Sequence, residues 1–257
     1  MDAFALLDVP PLPTPARREL VAMFRASLAD KAVPVILGDV TDDDVLAAFA
    51  EIVPDALAHQ QALGIPAEVT AETLRDIGGK HRSFGARTEV PWLLGILRGD
   101  VISVGRLQVE RRSGSQGHGL HIPELGPLVP AAVDASLGRA HDLLGATDFT
   151  CTSWLLEPAL AAALPGTNMA AFARRFTLDA DTTAPSDAGA RSAAKFVFGR
   201  PLADVLDPAA VTPRTRLEHL VVQRLREGPG WSEPSGTLTF AAGSLERKGM
   251  PRPELAT

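Results

Sequence analysis

The sequence has no tyrosine, a single cysteine (Cys151), and an aromatic share of only 5%. Without tyrosine, no reaction step can use a phenolic hydroxyl as acid or base. A lone cysteine excludes an intramolecular disulfide and a Cys-rich zinc site, and nothing points to an oxidising compartment. No apolar run reaches the ~18 residues that a membrane span needs. The start, Met1-Asp2-Ala3-Phe4, lacks the basic residues of a secretory signal. Positive charge is also in deficit: Lys+Arg number 25 against Asp+Glu 31, a net charge of −6. Nucleic-acid binders carry a basic surface, so that class is disfavoured. The expectation is a soluble cytoplasmic protein with neither a nucleic-acid nor a membrane partner.

What the chain does hold is a globular composition, 46% hydrophobic and 22% charged over 257 residues. That is too apolar for disorder. At about 150 residues per domain, the length allows one large domain or two small ones. Arginine outnumbers lysine and alanine is abundant, which reads as genomic base composition.

The first third has helical periodicity. Pro15 to Leu28 sets Leu20, Val21, Phe24 and Leu28 at helical spacing. Asp42, Asp43 and Asp44 open a second helix, where acidic residues suit the positive end of the dipole. Pro54 falls near its end, and Asp55 to Leu63 forms a third piece closed by Gly64. Val69 to Ile77 is a fourth, with Thr70 as N-cap and Gly78-Gly79 as its stop. Pro91-Trp92-Leu93-Leu94 leads into a short helix that ends at Gly99-Asp100.

Beyond residue 100 the period changes. Val101 to Glu110 alternates as a strand, with Arg106, Gln108 and Glu110 on one face. Arg111 to Gln116 turns and His118 to Ile122 returns as a strand, giving a hairpin. Pro123 to Pro130 is a loop that opens a helix over Ala131 to Leu144. Phe149 to Leu156 reads as a strand, and Glu157 to Leu164 as a short helix with Pro158 in its first turn. Phe172 to Leu178 and Ala193 to Phe198 read as strands around a loose loop, and Thr215 to Arg226 as an amphipathic helix. The fold class expected is α+β (mixed α/β): a helical domain over 1–95, a mixed-sheet domain over 96–240, and a flexible tail over 241–257.

Several segments together resemble one family. They are Gly105-Arg106-Leu107-Gln108-Val109-Glu110, Leu120-His121-Ile122-Pro123-Glu124 with Gly126-Pro127-Leu128, and the run from Cys151 to Leu160. Thr167-Asn168, Phe172 to Phe176 and Leu217 to Trp231 follow in the same order. The family is the two-domain bacterial acyltransferases, with an N-acyltransferase N-terminal domain and a GNAT-like C-terminal domain, and the likeness spans roughly residues 40 to 240. The resemblance implies an acyl-CoA donor, acetyl-CoA or a longer one, and leaves the acceptor open. It also implies that the fold's fourth and fifth strands, here His118 to Ile122 and Phe149 to Leu156, splay around the pantetheine arm. Pro123 to Leu128 then becomes the pyrophosphate loop.

The residues themselves suggest roles beside their plainer readings. A helix N-terminus suits a phosphate, and Gly126 with Pro127 and Leu128 leads into one. Pro130, however, removes an N–H donor, and Glu124 and Asp134 add negative charge. His121 ends a strand and is a candidate general base, or else a ring that ties down the next loop. Glu110 is a second base candidate. Arg106 and Gln108 are candidates for holding the acceptor, Arg106 because a guanidinium grips a carboxylate two-pronged. Ser153 is a candidate donor to the acyl carbonyl or the leaving thiol, while Cys151 reads as a buried small residue and Trp154 as packing on the opposite face. His121, Ile122, Gly126, Pro127, Leu128 and Asn168 are the candidate CoA contacts.

Arg174 and Arg175, on opposite faces of their strand, offer at most one contact to CoA phosphates. His118, His121 and Glu124 make a metal site only if the strand bends, so no metal is expected. The leading reading is therefore transfer of an acyl group from CoA to an amine or hydroxyl by a monomer or homodimer. The alternative is a catalytically inactive CoA-sensing or protein-binding module.

Overall fold

The computed structural model describes residues 2–13 and 15–241. Five helices come first: α1 (Ala3–Leu6), α2 (Arg18–Ala29), α3 (Asp42–Ala62), α4 (Ala67–Phe84) and α5 (Val90–Arg98). Then come β1 (Val101–Ser103), β2 (Gln108–Gly114), β3 (Gly117–His121), α6 (Pro130–Leu144) and β4 (Asp148–Thr152). The remainder is α7 (Pro158–Ala163), α8 (Asn168–Ala173), β5 (Thr177–Leu178), α9 (Asp187–Phe198), α10 (Leu202–Leu206), α11 (Arg216–Arg226) and β6 (Ser235–Thr239). The strands form one mixed sheet in the order β1-β2-β3-β4-β6-β5, parallel only between β3 and β4. This is the expected α+β class, with helices leading. The tail expected from residue 241 lies, from 242 onward, outside the described residues.

Two large apolar cores hold the described residues, beside a small third cluster of Ala194, Val205, Val211 and Val222. Phe24, Phe49, Leu46, Ile52, Leu93 and Ile96 anchor the first, among α2, α3 and α5. Leu107, Val109, Leu137, Phe149, Phe172 and Trp231 anchor the second, around the sheet. Helix α4 serves both, with Leu74 and Ile77 in the first and Val69 in the second. It is also bonded to the sheet: Ser103 N–H donates to Thr73 Oγ1 (2.8 Å) and Gly105 N–H to Glu72 Oε1 (2.9 Å).

The structure corrects several expected elements. The two helical pieces around Pro54 are one helix, α3. Proline removes an N–H, but buried Ile52, Val53 and Ala56 hold the flanking turns in the first core. Thr70 is not an N-cap but a buried interior residue, and α4 runs through Gly78-Gly79. A Cβ on Gly78 would meet the Asp8 carbonyl oxygen at 2.1 Å, so glycine is there for close approach rather than as a stop.

The run Val101 to Glu110 is two strands. The chain reverses through Val104 to Leu107, where Gly105 has φ +95 and Val104 N–H donates to Leu107 O. Phe149 to Leu156 extends only to Thr152 before a single turn of 3₁₀ helix over Trp154–Leu156. Of the expected strand Phe172 to Leu178 only Thr177–Leu178 is extended, as β5, after the end of α8 and a turn, and Ala193 to Phe198 lies within helix α9. Ser186 caps α9, Gly199 closes it in the left-handed region, and Gly189 lets it press onto the Trp231–Glu233 backbone. These contacts override the strand propensity of Phe196-Val197-Phe198.

Candidate active site

The parallel pairing of β3 and β4 is short. It registers His118 with Phe149 and Gly119 with Thr150 and then stops. Beyond it the strands part, and a cavity of about 660 Å³ opens between Leu120–Ile122 on one side and Cys151–Ser153 on the other. The loop 123–128 and Asn168 and Met169 of α8 form part of its rim. Glu89 and Trp92, at the start of α5, and Phe196 of α9 form another part. Edges that no longer pair with each other leave backbone groups free for a ligand laid between them.

His121 stands at the mouth of the parting strands. Its Nε2 lies 3.0 Å from Glu110 Oε1. An ionised Glu110 accepts from Nε2–H, which fixes the tautomer and leaves Nδ1 as the basic nitrogen. The Trp92 ring meets the imidazole edge-on, centroids 4.6 Å apart. Burial pushes the imidazole below its ordinary range; Glu110 pulls it up and Lys80 pushes it further down. A neutral ring is therefore favoured at neutral pH, the form a base requires.

Glu110 reaches His121 only because residue 119 is glycine. A Cβ there would sit 2.6 Å from Glu110 Cδ. Gly119→Ala is expected to displace Glu110 and lower kcat about tenfold or more while the fold is kept. Circular dichroism with steady-state kinetics checks this; unchanged kcat would show that the pair does not matter.

Arg106 lines the cavity but its donors are committed to the loop. Nη1 donates to Pro123 O (2.9 Å), Nη2 to Gly126 O (2.7 Å) and Nε to Pro127 O (3.2 Å). It thus shapes the loop that carries Gly126, Pro127 and Leu128, all three of which line the cavity. Gln108, 1% exposed, is the cross-strand partner of His121. Its Nε2 donates to Asp76 Oδ2 (3.1 Å), and its Oε1 has no partner. Burial raises the Asp76 carboxyl above its usual range, against the pull of Lys80 and Gln108. Lys80 bonds Glu124 Oε2 at 3.0 Å.

Across the gap, Ser153 lines the cavity and its Oγ accepts from Leu155 N–H (3.2 Å), so its hydroxyl hydrogen is free to donate. Cys151 is buried, and burial first, then Glu233, pushes its thiol up to about 12. Trp154, expected on the opposite face, also lines the cavity, because the strand ends at Thr152 and the 3₁₀ turn swings it round. Ile122 and Asn168 line the cavity too, Asn168 as the first residue of α8 behind the Thr167 cap. Arg174 and Arg175 are not on a strand. Arg174 bonds Pro165 O and Ala161 O, and Arg175 pairs with Asp134. Among the described residues, no three or more His, Cys, Asp and Glu side chains are grouped to hold a metal. Nor is any helix long and apolar enough to cross a membrane.

Residues 74–238 match the family of GNAT-like C-terminal domains, more than half of the chain. The chain belongs to that family. A solved acyltransferase mutant in complex with octanoyl-CoA aligns over 93% of this chain and 87% of its own, at 28% identity and TM-score 0.75. An acyltransferase in complex with decanoyl-CoA and teicoplanin aligns over the same shares, at 27% identity and TM-score 0.76. No curated protein matches. The expected resemblance to two-domain acyltransferases, and with it an acyltransferase activity, is borne out.

Lys80, Glu89, Trp92, Phe196 and Glu233 also line the cavity of this GNAT-like protein, and sequence reasoning missed them. Trp92 had a signal, as one of three tryptophans in a sequence poor in aromatics. Lys80 had one too, a lysine on the apolar side of a helix. Phe196 had none, because its segment read as a strand.

Proposed function

We propose that this GNAT-like chain transfers a medium-length acyl group from acyl-CoA to a primary amine on an acceptor as large as a glycopeptide. The observation that carries the reading is the parting of β3 and β4 beyond Gly119 and Thr150, with His121 and Glu110 at the opening. The similar acyltransferases with octanoyl-CoA, decanoyl-CoA and teicoplanin support the donor length and the acceptor size. In this reading residues 96–240 hold the donor, and the helices of 1–95 wall the acceptor side.

The pantetheine arm lies in the gap, flanked by Ile122 and Asn168, and the phosphates meet the loop at Gly126, Pro127 and Leu128. Arg106 acts on the donor through this loop. The acceptor nitrogen attacks the thioester carbon, a C–N bond forms, and the C–S bond breaks to release CoA. His121 Nδ1 takes the nitrogen's proton, and Glu110 holds the imidazolium that results. Ser153 Oγ–H, which lines the gap and is free to donate, serves the leaving sulfur in a protein without tyrosine. Gln108 beside His121 faces the acceptor. Positioning of donor and acceptor supplies much of the rate.

Each buried CH₂ adds about 0.8 kcal/mol, or roughly fourfold in affinity. Calorimetric titration with CoA thioesters from acetyl to decanoyl is expected to show affinity climbing with chain length. A flat series would contradict the medium-chain donor.

Cys151 takes no covalent part. A thiol with a pKa of about 12 is thiolate in only about one molecule in 10⁵ at pH 7. Cys151→Ser is expected to keep kcat within about threefold, and iodoacetamide to leave the native enzyme active. Loss of activity on alkylation would point to an acyl-enzyme route.

A further inference from the structure

Helix α9 reaches the rim of the cavity through Phe196. On one side Ser192 Oγ donates to Glu233 Oε1 (2.6 Å), within the sheet half of the chain. On the other side Lys195 Nζ reaches Glu89 Oε1 at 2.8 Å, a residue 106 positions away at the start of α5. The same ammonium sits over the Phe84 ring, 4.3 Å from its centroid, and Phe84 meets Phe196 edge-on at 5.6 Å. Glu89 and Phe196 line the cavity; Lys195 and Phe84 do not. The contact therefore sits at the rim, with Lys195 and Phe84 behind the lining residues Glu89 and Phe196.

The closure has features of a reversible one. Lys195 is 41% exposed along its side chain and Phe196 is similarly open. Glu89 is 16% exposed, so the pair is open to solvent from the lysine end only; such half-open ion pairs and cation–π contacts are individually modest. Both elements stop next to the contact at a glycine with positive φ, Gly85 after α4 and Gly199 after α9. Trp92, on the first turns of α5 beside Glu89, touches His121. This part of the rim thus adjoins the candidate base through Trp92, while the loop 123–128 and α8 form the part assigned above to the donor.

We propose that α9 is a latch over the acceptor side of the cleft, closed by Lys195 on Glu89 and Phe84, and that its opening decides how bulky an acceptor amine the enzyme accepts. This rests on the acyl-transfer reading above. A small amine slips past the closed latch; a large one needs it open.

The test compares butylamine with teicoplanin as acceptors at saturating decanoyl-CoA. Lys195→Ala is expected to raise kcat/KM for the large acceptor about threefold to tenfold, the worth of one weak ion pair with one cation–π contact. The small amine's kcat/KM is expected to stay the same. In the opposite direction, Phe84→Cys with Lys195→Cys is bridged by a short bifunctional thiol reagent. Cys151, buried and un-ionised, does not compete for it. The bridge is expected to stop acylation of the large acceptor and spare the small one.

Equal effects on both acceptors, or none on either, overturn the latch. If the unmodified enzyme acylates neither amine while binding decanoyl-CoA, the acyl-transfer reading fails and the latch falls with it.

Discussion

Replacing His121 with alanine is expected to lower kcat for amine acylation by about 10²–10⁴-fold, the usual weight of a positioned general base. Affinity for acyl-CoA is expected to stay within about threefold, because in the proposed function the donor is held chiefly by backbone and apolar groups of the parted strands. The split between catalysis and binding is the diagnostic. A ring that merely tied the loop to the sheet would weaken donor binding instead.

The pH profile carries a second signature of the same residue. Burial moves His121 below its ordinary pKa. The base form therefore persists through neutral pH, and activity is lost only as pH falls through the depressed value. Glu110→Gln removes the carboxylate that raises the imidazole pKa, so the acidic limb is expected to move to still lower pH while the maximal rate drops. A limb that moves upward would contradict the arrangement of the pair.

The other large effect is on stability. Glu157 is 6% exposed along its side chain, and it gathers four donors. Arg224 Nη2 lies 3.2 Å from Oε1, Ala159 N–H caps α7 on the same oxygen, and the N–H and hydroxyl of Ser232 donate to Oε2. Arg224 in turn lies against Trp231, whose Nε1–H bonds Trp154 O. One carboxylate thus ties the 3₁₀ turn, α11 and the approach to β6 together.

Glu157→Ala leaves a largely buried guanidinium unpaired and three donors unsatisfied. Breaking a buried pair from one side costs about 3–5 kcal/mol. In a protein of this size that lowers Tm by about 10 °C. Replacing both partners, Glu157→Leu with Arg224→Met, is expected to recover part of the loss, since the uncompensated charge goes too. Differential scanning calorimetry of the three variants reads it out. A Tm within about 2 °C of the parent for Glu157→Ala would remove the brace.

Much of this was legible in residue order, and what was not has physical causes. Gln108 and Glu110 could be set on one face by alternation and the hairpin of β2 and β3 foreseen because it is local, but the register that brings His121 beside them comes from the structure. The loop 123–128 and α6 followed from proline and glycine placement. Trp154 was misplaced because nothing before Ser153 announces the end of a strand; Pro234 O, far along the chain, receives the Ser153 N–H. β6 escaped notice because Ser235-Gly236-Thr237-Leu238-Thr239 has little apolar alternation and exists by pairing with β4. α9 was read as a strand from Phe196-Val197-Phe198, while its helical state depends on Gly189 packing onto distant backbone. Lys80, Glu89 and Phe196 reach the cavity only through tertiary packing of α4, α5 and α9.

The central claim, direct transfer of an acyl group from CoA to an amine at His121, is tested most directly by a single turnover. The enzyme in excess is mixed with decanoyl-CoA and an amine acceptor, quenched over time, and both acceptor and protein are weighed by mass spectrometry. Acylated amine is expected to appear one for one with free CoA thiol, with no decanoyl adduct on the protein at any time. A decanoyl-protein intermediate, or acyl-CoA bound and unchanged throughout, would contradict it.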